Sequence, residues 1–494
     1  MQLARIIFIF GFFGLEVAFA VPNIVLMISD DQGWDGLSVQ MHPEMTDSKS
    51  DFYLTPRLEE LADQGMRFSA AYSPSTVCSP TRASLQTGMS PAKNHWTKAA
   101  PIYTAAHNFP LVPVQHRKEL FEEEVTIGEV LQSAGYKTAH YGKWHLQGGG
   151  PAKHGYDESD GETSNRDALP LNNPDNPLDV IGMSERALNF MQRANEEGRP
   201  FFVQISYYPL HEQQNASPET ITRVKQRSVG RIHHDVLVAA VTEDLDTGVG
   251  VIMDGVEQLG LGDNTYVIYM GDNGQRSYEH TNVCEVGSDC RLRESNAALL
   301  GAKGNLSEGG IRVPFIIKGP GIEEDSWSHA RMVGYDLFPT FAEWAGIDKK
   351  NLPEGIEGGS FAGILKNNGA GQIERPRPEL VFHFPHYQDG APQSAVYLDE
   401  YKLIKFYEIN KTALFNIFLD IGERENLAMR IPEKAKELEV LLDEYLVFID
   451  ADIPAVNLNY NSSKPRAIRA NGMGGKVIYN PSMEVNNIYY PNAQ

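Results

Sequence analysis

The chain has 494 residues, 41% of them hydrophobic and 10% aromatic, with a formal net charge of −22 at pH 7. That length exceeds one compact core and predicts a large α/β domain with a smaller companion, and the composition excludes a disordered or fibrous chain. The acidity excludes non-specific nucleic-acid binding and a generally basic groove for a polyanion, so any anion site has to be local.

In chain order, Arg5, the apolar run Ile6–Leu15 and Ala18-Phe19-Ala20 form a secretory signal pattern over residues 1–20, with cleavage expected after Ala20. No cysteine follows the cleavage point and no later stretch is long and apolar enough to span a bilayer. The expectation is an exported protein, periplasmic or secreted, with no stable membrane anchor. Asn23–Ile28 is a short continuous apolar run, the pattern of a buried parallel strand. Pro56 after Thr55 opens a helix to about Gln64, and Thr126-Ile127-Gly128-Glu129 is a capping box whose helix ends at Gly135. Strands are predicted at Tyr136–Tyr141, Phe201–Ile205, Thr265–Met270 and Val313–Ile317, with a helix over Asp235–Leu259.

Around Gly369–Pro378 the composition turns to Gly, Arg and Pro, which divides the chain into a domain over 21–374 and a smaller one over 375–494. The smaller one reads as α+β, with antiparallel strands at Leu380–Phe384, Ala395–Leu398 and Lys402–Phe406 and a helix over Pro432–Phe448. The tail after Asp452, rich in Asn, Pro and Tyr, is expected to be irregular. Of the three cysteines, Cys284 and Cys290 lie six apart in a Gly-, Ser- and Asp-rich segment and predict a local disulfide, two free thiols being the alternative.

In open α/β sheets, ligands bind beyond the carboxyl ends of the strands. The first strand runs into Asp30-Asp31, the strand ending near Tyr141 into Gly142-Lys143-Trp144-His145, the strand from Phe201 toward His211, and the strand ending at Met270 into Asp272-Asn273-Gly274. Asp30, Asp31, Asp272 and Asn273 are hard oxygen donors that suit Ca²⁺ or Mg²⁺. Taken singly, each stretch is equally a good turn sequence. Arg82, Lys143, His145 and Lys303 could neutralise an anionic ester and the charge that develops on its oxygens. Cys78 stands two residues before Pro80 at a predicted helix start, where free backbone N–H groups face the cysteine position.

Cys78-Ser79-Pro80-Thr81-Arg82, Gly142-Lys143-Trp144-His145, Asp272-Asn273-Gly274 and Glu308-Gly309-Gly310-x-Arg312-Val313-Pro314 together resemble the motifs of the formylglycine-dependent sulfatases of the alkaline phosphatase superfamily. The similarity runs from about Asn23 to Phe448. It implies an alkaline-phosphatase-like fold: a large, mixed, mostly parallel β-sheet sandwiched by helices, plus a C-terminal α+β domain with an antiparallel sheet. It implies hydrolysis of sulfate esters at the S–O bond. Cys78 would become formylglycine through a maturation enzyme. Asp30, Asp31, Asp272 and Asn273, with the oxidised Cys78, would hold calcium, magnesium being less favoured. Arg82 and Lys143 would support the aldehyde hydrate, His145 would hydrogen-bond to it, Lys303 would contact the sulfate, and His211 would protonate the leaving oxygen.

Two positions depart from the family pattern: Gln213 stands where a Pro often follows the second histidine, and Thr81 replaces the usual Ser or Ala. An acidic, exported member of this kind resembles enzymes that act on sulfated carbohydrates. His383, His386 and Arg377 are candidate sugar contacts, and the loop Lys93–Arg117, with His95 and Trp96, reads as a sugar platform or as ordinary surface. The alternatives to a sulfatase are a phosphodiesterase or phosphonate hydrolase of the same superfamily, and a silent calcium-dependent glycan-binding protein.

Overall fold

The computed structural model describes residues 21–99, 109–112, 114–168, 173–211, 215–276, 298–388 and 391–463, together with the backbone of two short strands at 467–469 and 476–478. The signal pattern, Gln213, Cys284 and Cys290 lie outside the described residues. An eight-stranded sheet organises the first three hundred or so residues. Its strands in chain order are β1 (Asn23–Ser29), β2 (Met66–Phe68), β3 (Lys137–Gly142), β4 (Glu158–Ser159), β5 (Phe201–Ser206), β6 (Thr265–Gly271), β7 (Phe315–Lys318) and β8 (Ser326–Ser328). The spatial order is β8-β2-β7-β6-β1-β5-β3-β4. Every pairing is parallel except those of β7, which runs against both β6 and β2. β1 is central, and all seven of its residues are buried, as its unbroken apolar run requires.

The two-residue period of β1 divides the core. Val25 and Met27 face one hydrophobic cluster with Leu58, Leu61 and Ala62 of helix α1 (Pro56–Asp63), helix α4 (Val180–Glu196) and helix α5 (Val236–Gln258). Ile24, Leu26 and Ile28 face the other, with helices α2 (Cys78–Thr87), α3 (Ile127–Ser133) and α6 (Leu337–Trp344). Helices therefore cover both faces. The capping box at Thr126 and Glu129 is present, Asp235 caps α5 through the N–H groups of Leu237 and Val238, and Gly88 ends α2 in the left-handed conformation at φ 69°. Among the elements the sequence reading passed over is α4, although Val180, Met183, Ala187, Phe190, Met191 and Ala194 bury one helical face.

Beyond residue 379 a four-stranded antiparallel sheet forms from β9 (Leu380–Phe384), β10 (Gln393–Leu398), β11 (Tyr401–Phe406) and β12 (Lys411–Asn416), backed by helix α7 (Pro432–Phe448). Its other face shares a hydrophobic cluster with Tyr72, Val77, Leu306 and Ile311 of the first domain. At that joint Glu308 accepts from Tyr72 Oη at 2.9 Å, Tyr397 Oη at 2.5 Å, Arg312 Nε at 2.6 Å and Lys402 Nζ at 3.1 Å, while Glu423 pairs with Lys402 at 2.7 Å and accepts the Glu308 N–H at 2.8 Å. All of these side chains are buried, so each charge depends on its partners.

Helix α1 begins without a side-chain cap from Thr55. Asp246 of α5 supplies one, accepting from Arg57 N at 3.0 Å and Leu58 N at 2.9 Å. Burial nonetheless pushes the Asp246 pKa up to about 7, well above the usual carboxylate range, against the pull of those two N–H groups. A carboxyl whose folded pKa lies above its unfolded value binds its proton more tightly when folded, so its contribution is largest below the unfolded value and is lost as pH rises through about 7. Asp246→Asn, uncharged and still able to accept, should flatten this part of the stability profile. Urea midpoints at pH 5 and 7.5 for both proteins check it: the wild-type drop between the two pH values should exceed that of the variant.

Candidate active site

The carboxyl ends of β1, β3, β5 and β6 lie side by side, and their following residues converge at the N-terminus of α2. The backbone makes the convergence rigid. Asp272 N donates to Ser29 O at 3.0 Å, Asp31 N to Asp272 Oδ1 at 3.0 Å, Lys143 N to Ser206 O at 2.8 Å, and Asp30 N to Pro209 O at 2.7 Å. Asp31 itself sits in the left-handed region at φ 59°. Gly142 is required where β3 ends: its φ is +85°, and a Cβ there would lie 2.2 Å from Ser206 O.

Cys78 is the first residue of α2 and is 1% exposed. Its Sγ lies 3.4 Å from Asp30 Oδ1, 3.9 Å from Asp31 Oδ1 and 3.4 Å from Lys303 Nζ. Val77, preceding it, is extended and gives the helix no side-chain cap, so the N-terminal N–H groups are left to the pocket. Burial, followed by the Asp30 carboxylate, pushes the Cys78 thiol pKa far above its ordinary value. That is the opposite of an activated thiolate, which needs a lowered pKa. This environment does not favour the thiolate form of the sulfur.

Arg82, one turn into α2, holds the site together. Its Nε and Nη2 reach Asp272 Oδ2 at 3.1 and 2.8 Å, and its Nη1 donates to the Lys143 carbonyl at 2.6 Å. Lys143 Nζ donates to Asp30 Oδ2, and Lys303 Nζ donates to Asp31 Oδ1 at 2.5 Å. Three buried carboxylates thus face three buried cations. Burial opposes the ionisation of Asp31, but Lys303, His211 and Lys143 together hold its pKa below the usual carboxylate range. Burial and the neighbouring Asp30 raise that of Asp272.

Two buried acceptors are left over. Asp31 Oδ2 and Asn273 Oδ1 have no hydrogen-bond partner, although Asn273 Nδ2 donates to Asp31 Oδ1 at 2.8 Å. Ligand atoms of Asp30, Asp31, Cys78 and Asp272 all lie within 4.8 Å of one another. Orphaned oxygens beside clustered carboxylates fit a hard divalent cation bound by oxygen ligands.

The histidines line the same space. Burial lowers the pKa of both, then Lys143 in each case, with Arg82 also acting on His145 and Lys303 on His211. His145 stands at φ 59°, its N–H donating to Thr163 O at 2.8 Å and its Nδ1 without a partner. Each sequence-predicted residue of the metal and catalytic sets is therefore in one cluster. Thr163 escaped the sequence reading: its Oγ1 donates to Gly142 O at 2.5 Å and accepts from Trp144 N at 2.9 Å, clasping the Lys143–His145 loop. No local signal marks it. Arg276 also escaped; its charge acts on His211, and its place four residues after Asp272 was the available clue.

The proposed sugar contacts are placed differently. His383 is 3% exposed, its Nδ1 paired with Ser394 Oγ at 2.6 Å and its Nε2 with Asp452 O at 2.9 Å. His386 is 1% exposed and pairs with Thr97 Oγ1 at 2.8 Å. Arg377 binds Glu379 and stacks over Tyr445 and Phe448. The two histidines, candidate sugar contacts from the sequence, are interior groups of the joint between β9 and its neighbours. Trp96 is likewise buried in the core, its indole donating to Lys98 O at 3.2 Å, so it offers no sugar platform. His95 pairs with Asp452 at 2.9 Å.

Arg82→Lys tests the clamp, because Lys cannot bind Asp272 and the Lys143 carbonyl in one plane. Loss of the shared donor should lower kcat by about 100-fold. It should also cost about 2 kcal/mol in unfolding free energy.

Comparison with known proteins agrees with this geometry. Residues 22–347 match the family model described as Sulfatase, and residues 302–448 match that of the N-sulphoglucosamine sulphohydrolase C-terminal region. A sulfatase from Formosa agariphila is 28% identical over 84% of this chain and 85% of its own length. Arylsulfatase A of Homo sapiens is 30% identical over 76% of this chain and 73% of its own. Among solved structures, Ps i-CgsB in complex with a neocarrahexaose superposes with a TM-score of 0.68 at 22% identity, covering 86% of this chain and 92% of that one. A protein bound to its substrate D-glucosamine-2-N,6-O-disulfate has a TM-score of 0.64 at 19% identity, covering 87% of this chain and 98% of that one.

Proposed function

Given that the chain belongs to the sulfatase family and is a sulfuric ester hydrolase, we propose that it is an exported enzyme that removes sulfate from a carbohydrate, using Cys78 matured to formylglycine and a calcium ion. The observation that carries the proposal is the position of Cys78. It is held at the first position of α2, its Sγ within 3.4 Å of both a carboxylate and a lysine. That environment suits an oxygen nucleophile facing a sulfuryl group. Support for a sugar substrate comes from the saccharides bound to the structural relatives and from an N-acetylgalactosamine-6-sulfatase of Mus musculus, 29% identical over 66% of this chain and 63% of its own length.

When present, the aldehyde hydrate at Cys78 supplies a nucleophile that can afterwards release sulfate without water. Asp30, Asp31, Asp272 and Asn273 would hold the calcium ion, which would supply positive charge to the site. The chain's own residues do the rest. Lys303 receives the sulfate, Lys143 supports the hydrate, and Arg82 keeps the Lys143 backbone and Asp272 in place. His211 donates a proton to the leaving sugar oxygen. Burial, Lys143 and Lys303 lower its pKa and favour the neutral imidazole. The negative charge of a bound ester offsets the lysines and raises its pKa toward the working range. His145, neutral for the same reasons, accepts the proton released as sulfate departs. The proposed partner for maturation is a formylglycine-generating enzyme, and the proposed export signal is the segment ending at Ala20.

Peptide mass spectrometry across Cys78, on protein from the native host or co-expressed with a formylglycine-generating enzyme, should show a loss of about 18 Da. Sulfate release from sulfated oligosaccharides should scale with that fraction. Unmodified thiol in protein that releases sulfate at full rate would overturn the nucleophile. For the metal, chelation should abolish turnover and calcium should restore it. A calcium concentration about 100 times Kd should raise the unfolding free energy by about 2.7 kcal/mol, a gain that Asp31→Asn loses.

A further inference from the structure

Lys303 has to be aimed at a point set by another part of the chain. It follows β6 by more than thirty residues, in a loop running from Gly301 to Ser307, yet its Nζ reaches Cys78 Sγ at 3.4 Å and Asp31 Oδ1 at 2.5 Å. A long side chain on a loop is a poor positioning device unless the backbone beneath it is fixed. Two contacts fix it. Lys303 N donates to Gln275 O at 2.9 Å, which ties the loop to the metal-ligand turn. Gly304 N donates to Thr76, reaching the side-chain Oγ1 at 2.7 Å and, more weakly, the Thr76 carbonyl at 3.2 Å. Gly304 has φ +97°, so the chain turns sharply at the point of contact.

Thr76 is 0% exposed and lies two residues before Cys78. Its own place is over-determined. Ser73 N donates to Ile311 O at 2.8 Å, Ser73 Oγ donates to Ser75 O at 2.7 Å, and the Thr81 hydroxyl of α2 bonds both the N–H and the carbonyl of Ser75 at 3.2 Å. The turn carrying Thr76 is thereby locked to the same helix that presents Cys78. Thr81, the residue that departs from the usual Ser or Ala, is part of that lock.

We propose that Thr76 is a positioning residue for sulfate transfer: its hydroxyl, by holding the Gly304 N–H, sets the height of Lys303 over the Cys78 pocket and couples the two parts of the site. The proposal rests on the reading of Lys303 as the cation that contacts sulfate. The hydrogen bonds that Thr76 accepts come from Gly304 N, the residue next to Lys303, so the expected route of its effect is through Lys303.

A double-mutant cycle tests it, with Thr76→Val, Thr76→Ser, Lys303→Ala and Thr76→Val/Lys303→Ala assayed on 4-nitrophenyl sulfate. Each protein is co-expressed with a formylglycine-generating enzyme and normalised to the aldehyde content at Cys78 by peptide mass spectrometry. Thr76→Val should lower kcat/KM by about 10- to 100-fold, and Thr76→Ser, which keeps the acceptor, should stay within about threefold of wild type. In the Lys303→Ala background the valine should add less than about twofold, because the residue it positions is gone. An equal loss in both backgrounds, or a serine variant as impaired as the valine one, overturns the proposal. If the valine variant does not fold, Thr76→Ala takes its place in the cycle. Wild-type turnover by Lys303→Ala would overturn the role of Lys303 and the proposal with it. An impaired Lys303→Ala beside an unimpaired Thr76→Val overturns the proposal alone.

Discussion

The buried ion cluster at the carboxyl ends of β1, β3 and β6 is the constraint on which the rest of the structure depends. Asp30, Asp31 and Asp272 are at most 1% exposed, and an unpaired buried carboxylate costs several kcal/mol. Arg82, Lys143 and Lys303 supply the opposing charges, each from a different segment. The cluster exists only if three strand ends, one helix and one long-range loop arrive together. Once assembled it has a low local dielectric and fixed dipoles, which make its electrostatics far stronger than the same groups would be in water. The orphaned oxygens of Asp31 and Asn273 are the part of this charge balance that protein groups leave open, which is where a divalent cation fits.

The smaller domain contributes to this cluster at one remove. Glu308 lies five residues after Lys303 and is gripped by Tyr397 and Lys402 from the antiparallel sheet and by Tyr72 and Arg312 from the larger domain. Gln393, at the start of β10, accepts the Leu306 N–H at 3.1 Å. The Lys303 loop is therefore held from the Cys78 side by Thr76 and from the second-domain side by Gln393 and Glu308. Gly310 permits the tight return, since a Cβ there would stand 2.0 Å from Asn305 O. Gly310 thus lets the Lys303 loop pass closely between the two sheets' domains.

Most of the sheet was legible because buried strands carry a strong local signal. The apolar runs from Asn23, Phe201 and Thr265 became β1, β5 and β6, and the polar residues after each run marked the ligand side. Short strands such as β2 and β8 carry too few residues for a period, and β7 reads like a parallel strand although it runs antiparallel to β6. Direction is a property of the pairing and has no local code. His383 and His386 look like sugar contacts in one dimension. Burial within the joint, with Ser394, Asp452 and Thr97 as partners, is what gives them a structural role.

By itself, the amino-acid sequence determined the chemistry available: a cysteine in a motif that resembles that of the formylglycine-dependent sulfatases, four hard oxygen donors, and a set of cations and histidines at the strand ends. These are short-range facts, because residue type and motif spacing survive without knowledge of neighbours. Only the tertiary structure decided which groups share a charge balance, that Arg82 is spent holding Asp272 and the Lys143 carbonyl, and that Thr163 and Thr76 brace the catalytic loops. Those outcomes depend on hydrogen bonds between segments far apart in the chain, 228 residues for Thr76 and Gly304 and 272 for Asp31 and Lys303. No local pattern encodes such a bond, because its energy exists only when packing has already brought donor and acceptor together and removed the water between them.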